Sequence, residues 1–177
     1  PVSAVFNRFP RMVRDVSKEL GKDINLTIEG EETELDRTVI DEIGDPIMHL
    51  LRNSLDHGVE SPDKREAKGK PRTGEVGLIA RHEGNNVVIM ITDDGAGIDA
   101  DKIRRKAVEK GMISQSEADS LDDADAVRLI FLPGFSTAEQ ITDISGRGVG
   151  MDVVRSKIEA LSGHVDVETH IDEGSVF

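Results

Sequence analysis

Three short stretches of the chain carry residue types at spacings that chemistry can use. His49, Asn53 and His57 recur every four residues, so on a helix they stack as one row beside the apolar stripe of Ile47, Leu50, Leu51 and Leu55. Two imidazoles and an amide in a row can ligate a metal or hydrogen-bond a partner, which a plain solvated face does not need. A zinc site would need another strong ligand, whereas the amide oxygen of Asn53 suits magnesium. Taken alone, the row is equally compatible with isolated His and Asn on a surface helix.

The second stretch, Asp93-Asp94-Gly95-Ala96-Gly97, follows what reads as a strand. Glycines there let the backbone turn sharply and approach a ligand. A carboxylate at a strand end can accept a hydrogen bond from a buried donor such as an exocyclic amine. An acidic turn is the plain alternative; an EF-hand calcium loop fails because its Asp/Asn ladder and closing Glu are missing. The third stretch, Gly146-Arg147-Gly148-Val149-Gly150, immediately precedes a predicted helix and offers N–H groups and the helix dipole to phosphates. Met151 stands where a dinucleotide fingerprint needs glycine, and no Walker A ending occurs. Ala138 breaks the nucleophile-elbow pattern in Gly134-Phe135-Ser136-Thr137-Ala138, which argues against a serine hydrolase of that type. The acidic run from Glu29 to Asp36 reads as a solvated turn. So does the basic run Lys64, Arg65, Lys68, Lys70 and Arg72, with partner docking as its lesser reading.

The elements that must hold these residues follow from periodicity. Val5, Phe9, Met12, Val13, Val16 and Leu20 predict one helix closed by Gly21; Phe6, Phe9 and Phe131 read as core. Ile24 to Glu29 alternates as a strand. A helix beginning near Asp36 is expected to break at Gly44-Asp45-Pro46 and restart from an Asp45 cap, ending at Gly58. Residues 59–74 read as a polar loop or short helix. Glu75–His82 and Asn86–Asp93 predict a hairpin. Helical stretches near 99–110 and 123–131, a helix from Met151 to Leu161 and a strand from His164 to Thr169 complete the list. Their order predicts an α+β fold, a two-layer sandwich with helices on one face of a mixed β-sheet.

Composition bounds the function. With 177 residues, 37% hydrophobic and 32% charged, the chain has the size and balance of one globular domain. The net charge of -13 argues against a general nucleic-acid binder, and a polyanion would need local donors and a divalent metal. No cysteine is present, so thiolate sites and disulfides are excluded. No apolar run matches a bilayer span and no signal peptide is evident, which points to a cytosolic setting. A start at Pro1 and an end at Phe177, inside a beginning β run, read as a fragment of a longer protein.

Taken together, the order and spacing of the three stretches resemble the GHKL nucleotide-binding superfamily of gyrase, the ninety-kilodalton heat-shock chaperone, MutL and histidine kinases. His49-Leu50-Leu51-Arg52-Asn53-Ser54-Leu55-Asp56-His57 is similar to the N box of histidine kinases. Asp93-x-Gly95-x-Gly97 and Gly146-x-Gly148-x-Gly150 are similar to the two glycine boxes, and Pro133-Gly134-Phe135-Ser136-Thr137 to the phenylalanine-containing lid motif. Phe9-Pro10-Arg11-Met12-Val13-Arg14-Asp15, Asp56-His57-Gly58 and the run from Ser145 to Asp152 resemble the chemotaxis branch of those kinases. The likeness covers essentially the whole chain, although Gly174-Ser175-Val176-Phe177 matches only the start of the last strand motif, with Ser175 where threonine is common.

The resemblance implies a Bergerat-type ATP-binding fold in a single catalytic domain over 1–177, with a long ATP lid near 95–150. It implies that Asp93 accepts the adenine amino group and that Asn53 supplies an oxygen to Mg2+. His49, His57 and Lys102 would lie near the triphosphate. Gly95, Gly97, Ser145, Gly146, Gly148, Gly150, Met151 and Ser175 would shape the nucleotide pocket. The implied reaction moves the γ-phosphoryl group of ATP to a histidine on a separate acceptor domain, in trans within a dimer, leaving ADP. Chemoreceptors and a coupling protein would engage other domains of a cytoplasmic protein held at membrane receptor assemblies. This fragment itself is expected to be monomeric, without nucleic-acid binding or membrane insertion. Clamp-type ATPases of the superfamily carry a glutamate four residues before the magnesium asparagine, where this chain has His49; that favours phosphoryl transfer over hydrolysis. A non-catalytic nucleotide-binding regulator is the third reading.

Overall fold

A computed structural model describes residues 1–136 and 150–177. The chain divides into two compact units, Pro1–Gly97 with Thr169–Phe177, and Ile98–Glu168.

The first unit is a sandwich of helices and a mixed sheet. Helices α1 (Ser3–Phe6) and α2 (Phe9–Leu20) replace the single helix expected from Val5 to Leu20. Gly21 closes α2 in the left-handed region at φ 65°, the conformation that a glycine cap supplies at no steric cost. Strand β1 (Ile24–Glu29) follows, with alternate residues half-buried. Helix α3 runs unbroken from Arg37 to Asn53, so the expected interruption at Gly44-Asp45-Pro46 does not occur. Gly44 serves packing instead: a Cβ there would collide with the Arg8 guanidinium, which crosses α3 at that point. Pro46 is buried within α3 and, having no N–H, makes no hydrogen bond to the Glu42 carbonyl four residues back.

After α3 the chain makes one wide turn of π-helix, Ser54–Gly58, in which Val59 N–H donates to the Ser54 carbonyl at 2.8 Å. Lys22 steadies this turn by donating to the carbonyls of Leu55 and Asp56 at 2.7 and 2.8 Å. The short helix α4 (Pro62–Ala67) leads into the hairpin of β2 (Gly74–Glu83) and β3 (Asn86–Asp93). The last strands are β4 (Glu168–His170) and β5 (Gly174–Val176). The strand expected from His164 to Thr169 therefore begins only at Glu168; His164 is exposed and outside it. The sheet order is β1-β2-β3-β5-β4, with β1 and β2 parallel and the β2–β3 and β3–β5 pairs antiparallel. Phe6, Phe9, Ile47, Leu51, Leu55, Leu78 and Ile91 fill the core.

The second unit is helical: α5 (Ala100–Glu109), α6 (Gln115–Ser120), α7 (Asp123–Val127), a 3-10 turn (Arg128–Phe131) and α8 (Met151–Ala160). Side chains fix the helix starts. Asp99 accepts from the N–H groups of Asp101 and Lys102, Ser114 and Glu117 form a capping box, and Asp122 accepts from Asp125. Ala107, Ala118, Ala126, Val127, Phe131 and Phe135 are buried, so this part of the expected lid carries an apolar core. Among the described residues no helix is long and apolar enough to cross a membrane.

Candidate functional site

Asp93 ends β3, opposite Val76 on β2 and Ser175 on β5. Three strands converge at its backbone, and the chain leaves the sheet immediately after it. Gly95 N–H turns back to donate to Asp93 Oδ1 at 2.9 Å. Burial raises the Asp93 carboxyl above the ordinary aspartate range; the Gly95 N–H, the Ser54 hydroxyl and the Ser175 N–H oppose that shift, and the Asp94 charge adds to it. The Ser54 Oγ is buried and turned to favour the carboxylate, but its geometry falls short of a full hydrogen bond. The result is a desolvated acceptor with one oxygen engaged by the backbone. Such a group accepts from a neutral N–H donor and opposes a carbonyl oxygen.

Glycines bring the surrounding backbone in. Gly58, at the end of the π turn, packs its Cα against the Asp93 carboxylate, and Ala96 N–H donates to the Gly58 carbonyl at 2.9 Å. Gly97 has φ 76°, and a Cβ on it would strike the His170 carbonyl. Ser175 is buried, with its hydroxyl 2.8 Å from that of Thr169. The first unit thus gathers Asp93, Gly95, Gly97 and Ser175 of the expected residues, together with Ser54, Gly58 and Thr169.

The expected row on α3 is graded rather than uniform. His49 is buried, Asn53 is half-buried at the last position of α3, and His57 is exposed, 3.8 Å from the Asp56 carboxylate. The wide turn between Asn53 and His57 explains the break in register, because its hydrogen bonds span five residues instead of four. Lys102, Gly150 and Met151 belong to the second unit: Lys102 is exposed in the first turn of α5, and Met151 is the buried first residue of α8, capped by Gly150. Ser145, Gly146 and Gly148, with Thr137 of the lid motif, lie outside the described residues.

Among the described residues no group of three or more His, Cys, Asp or Glu side chains is arranged to hold a metal. Asn53 offers an amide oxygen, a ligand type that magnesium accepts when phosphates and water supply the rest. The residues present therefore fit a magnesium ion that arrives with a nucleotide.

The basic run between 64 and 72 is not a uniformly solvated loop. Arg65 is 1% exposed, the largest of the fully buried side chains. It pairs with Glu60 and Asp94, each at 3.0 Å. Sequence reasoning missed it because its partners stand in other segments; the signal within reach was a set of basic residues beside Glu60 and just before β2.

The chain is similar to several known proteins. Chemotaxis protein CheA of Bacillus subtilis is 59% identical over 177 residues, covering 100% of this chain and 26% of that protein. The sensor histidine kinase CheAY of Helicobacter pylori is 54% identical over 175 residues, covering 99% of this chain and 22% of that protein. The chain therefore spans about a quarter of the length of these relatives. The histidine kinase domain of the blue-light activated kinase of Erythrobacter litoralis EL346 superposes with a TM-score of 0.51 at 14% identity, covering 94% of this chain and 59% of that one; at that identity the likeness is one of fold. Residues 42–177 match the family described as histidine kinase-, DNA gyrase B- and HSP90-like ATPase, and the chain belongs to that family.

Proposed function

We propose that this chain is the ATP-binding catalytic domain of a chemotaxis protein-histidine kinase. The observation that carries the reading is the buried Asp93 carboxyl at the end of β3, with one oxygen held by Gly95 N–H and the backbone of Gly58 packed against it. Such an acceptor selects the amino group of adenine over the carbonyl of guanine. Ser175, opposite Asp93 on β5, closes the same end of the sheet with a buried hydroxyl.

In this reading Asn53, His49 and His57 on the N-box segment, with Lys102 from α5, bind and orient the triphosphate. Gly95 and Gly97 would shape the pocket, and Ser145, Gly146, Gly148, Gly150 and Met151 are assigned to it by resemblance to the family alone. Asn53 would hold a magnesium ion, which would supply charge neutralisation at the phosphates. An imidazole nitrogen of a separate acceptor domain attacks the γ-phosphorus with its lone pair. The bond to the β,γ-bridging oxygen breaks, ADP leaves, and the imidazole releases its proton to solvent. Because the attacking nitrogen already carries a lone pair, positioning and charge neutralisation suffice, and a strong base is not required. His49, in place of the glutamate of clamp-type ATPases, therefore orients rather than deprotonates. In the whole protein, the acceptor histidine and attachment to chemoreceptors would lie in other domains.

Calorimetric titration with ATP and GTP, with and without Mg2+, tests the site. Adenine-selective binding that the metal strengthens is expected, followed by phosphotransfer when a histidine domain from a related kinase is added. Equal binding of both nucleotides, or no transfer, would sink the kinase reading.

A further inference from the structure

Immediately after Asp93, the backbone carbonyls of the glycine turn are held by charged side chains of α4 and of the loop that follows it. Lys70 Nζ donates to the carbonyls of Asp94 and Gly95, each at 2.9 Å, and to Glu60 Oε2 at 2.8 Å. Arg65 donates through Nη1 to the Asp94 carbonyl at 3.3 Å and to Glu60 at 3.0 Å, and through Nη2 to the Asp94 carboxylate at 3.0 Å. Its Nε donates to the Pro71 carbonyl at 2.7 Å, so the guanidinium is fixed on all sides. The other Asp94 oxygen accepts from Glu75 N–H at 2.9 Å, anchoring the turn to β2.

The consequence follows from the planarity of the peptide bond. In a trans peptide the carbonyl of one residue and the N–H of the next point in opposite directions. Holding the Asp94 carbonyl towards Arg65 and Lys70 therefore aims the Gly95 N–H the other way, onto Asp93 Oδ1. Burying an arginine and a glutamate is a poor route to stability, since apolar residues of similar volume commonly serve as well or better. Their hydrogen bonds to the turn after Asp93 give them an orienting role. We propose that Arg65, Glu60 and Lys70 are positioning residues for nucleotide recognition: a buried ionic clamp sets the peptide plane between Asp94 and Gly95 and so fixes which Asp93 carboxylate oxygen faces the purine. This rests on the nucleotide reading of the Asp93 site.

The test uses the whole 177-residue chain and two readouts: exchange of the Gly95 amide hydrogen without nucleotide, and calorimetric titration with MgATP. Lys70→Met is the main variant, because it leaves the Arg65 pairs with Glu60 and Asp94 in place to keep the fold. The expected result is Gly95 amide exchange about tenfold faster and ATP affinity about three- to tenfold weaker, with the thermal transition still cooperative. Arg65→Lys keeps the charge but loses the fork, and should shift both readouts in the same direction. Arg72→Met removes a cation of the same segment that pairs with Asp63 and Glu66, and should move neither. Unchanged exchange at Gly95, or unchanged ATP affinity, in a folded Lys70→Met chain overturns the clamp. Wild-type titration comes first and amide exchange needs no nucleotide, so failure of the clamp and failure of the nucleotide reading are separable.

Discussion

Gly95 lies so close to Gly58 that a methyl group on it would stand 2.0 Å from the Gly58 carbonyl oxygen and 2.8 Å from Val59 N. The atoms in the way are backbone, and they belong to the π turn that also borders the Asp93 carboxylate. Gly95→Ala should therefore displace the turn rather than a flexible side chain. A stability loss of about 1–3 kcal/mol is expected, with ATP binding weakened about tenfold or more, read by thermal denaturation and calorimetry. Wild-type affinity in this variant would mean that the approach of the two turns does not shape the nucleotide site.

Asp93→Asn should separate binding from stability. The amide oxygen still accepts from Gly95 N–H, but the charged acceptor that the proposed reading offers to the adenine amino group is gone. ATP should bind about ten- to a hundredfold more weakly. Stability should move the other way. Because burial raises the Asp93 carboxyl above its usual range, its ionised form costs the native state free energy at neutral pH. That cost is absent below the unfolded-state value and grows as pH rises through the folded-state value. The variant should thus gain on the wild type with increasing pH, measured as the difference in denaturant midpoints across an acid-to-neutral series.

Glu60 gives the opposite sign. Burial opposes its ionisation, yet hydrogen bonds from Lys70 and Lys68 outweigh burial and hold the carboxyl at about 2, from an ordinary 4.5. A depressed value stabilises the native state above the unfolded-state pKa, and that contribution disappears as pH falls through the folded-state one. The difference corresponds to roughly 3 kcal/mol at neutral pH. Glu60→Gln should be less stable than wild type by up to that amount at pH 7, and the gap should close between about pH 4.5 and 2. A constant gap over that window would show that the carboxylate charge is not what holds the loop.

How much of this was legible depends on how local each cause is. The β2–β3 hairpin and the carboxylate-glycine turn after it read directly from alternation and from two glycines spaced by two. The continuity of α3 did not, because Gly44-Asp45-Pro46 carries every local sign of a break, while the reason for Gly44 is the Arg8 guanidinium crossing from another helix. The π turn left no pattern of its own, so the even spacing of His49, Asn53 and His57 overstated how alike their surroundings are. Arg65 reads as one more solvated cation until Asp94, twenty-nine residues away, is brought beside it. Alternation from His164 to Thr169 promised a full strand, yet only Glu168–His170 form one.

In the second unit the stability of the 98–136 segment should depend on Phe135. Its ring is buried, with Lys106 Nζ 4.8 Å and Lys110 Nζ 5.8 Å from the centroid. Lys110 also donates to the carbonyls of Gly134 and Phe135, tying the end of α5 to the same residue. Burial lowers the Lys106 ammonium below its usual value, and the charges of Lys110 and Lys102 add to that shift; the aromatic face gives these crowded cations a partner. Phe135→Ala removes the ring from the core and the face from the lysines together, at a cost of about 3–5 kcal/mol. Phe135→Leu keeps most of the apolar volume and loses only the face, so its cost should be nearer 1 kcal/mol. Hydrogen exchange should show the loss in α5, α7 and the 3-10 turn while β2 and β3 keep their protection, which would establish the unit as a separate cooperative element. Equal loss of protection in the sheet would instead mean that the two units unfold together.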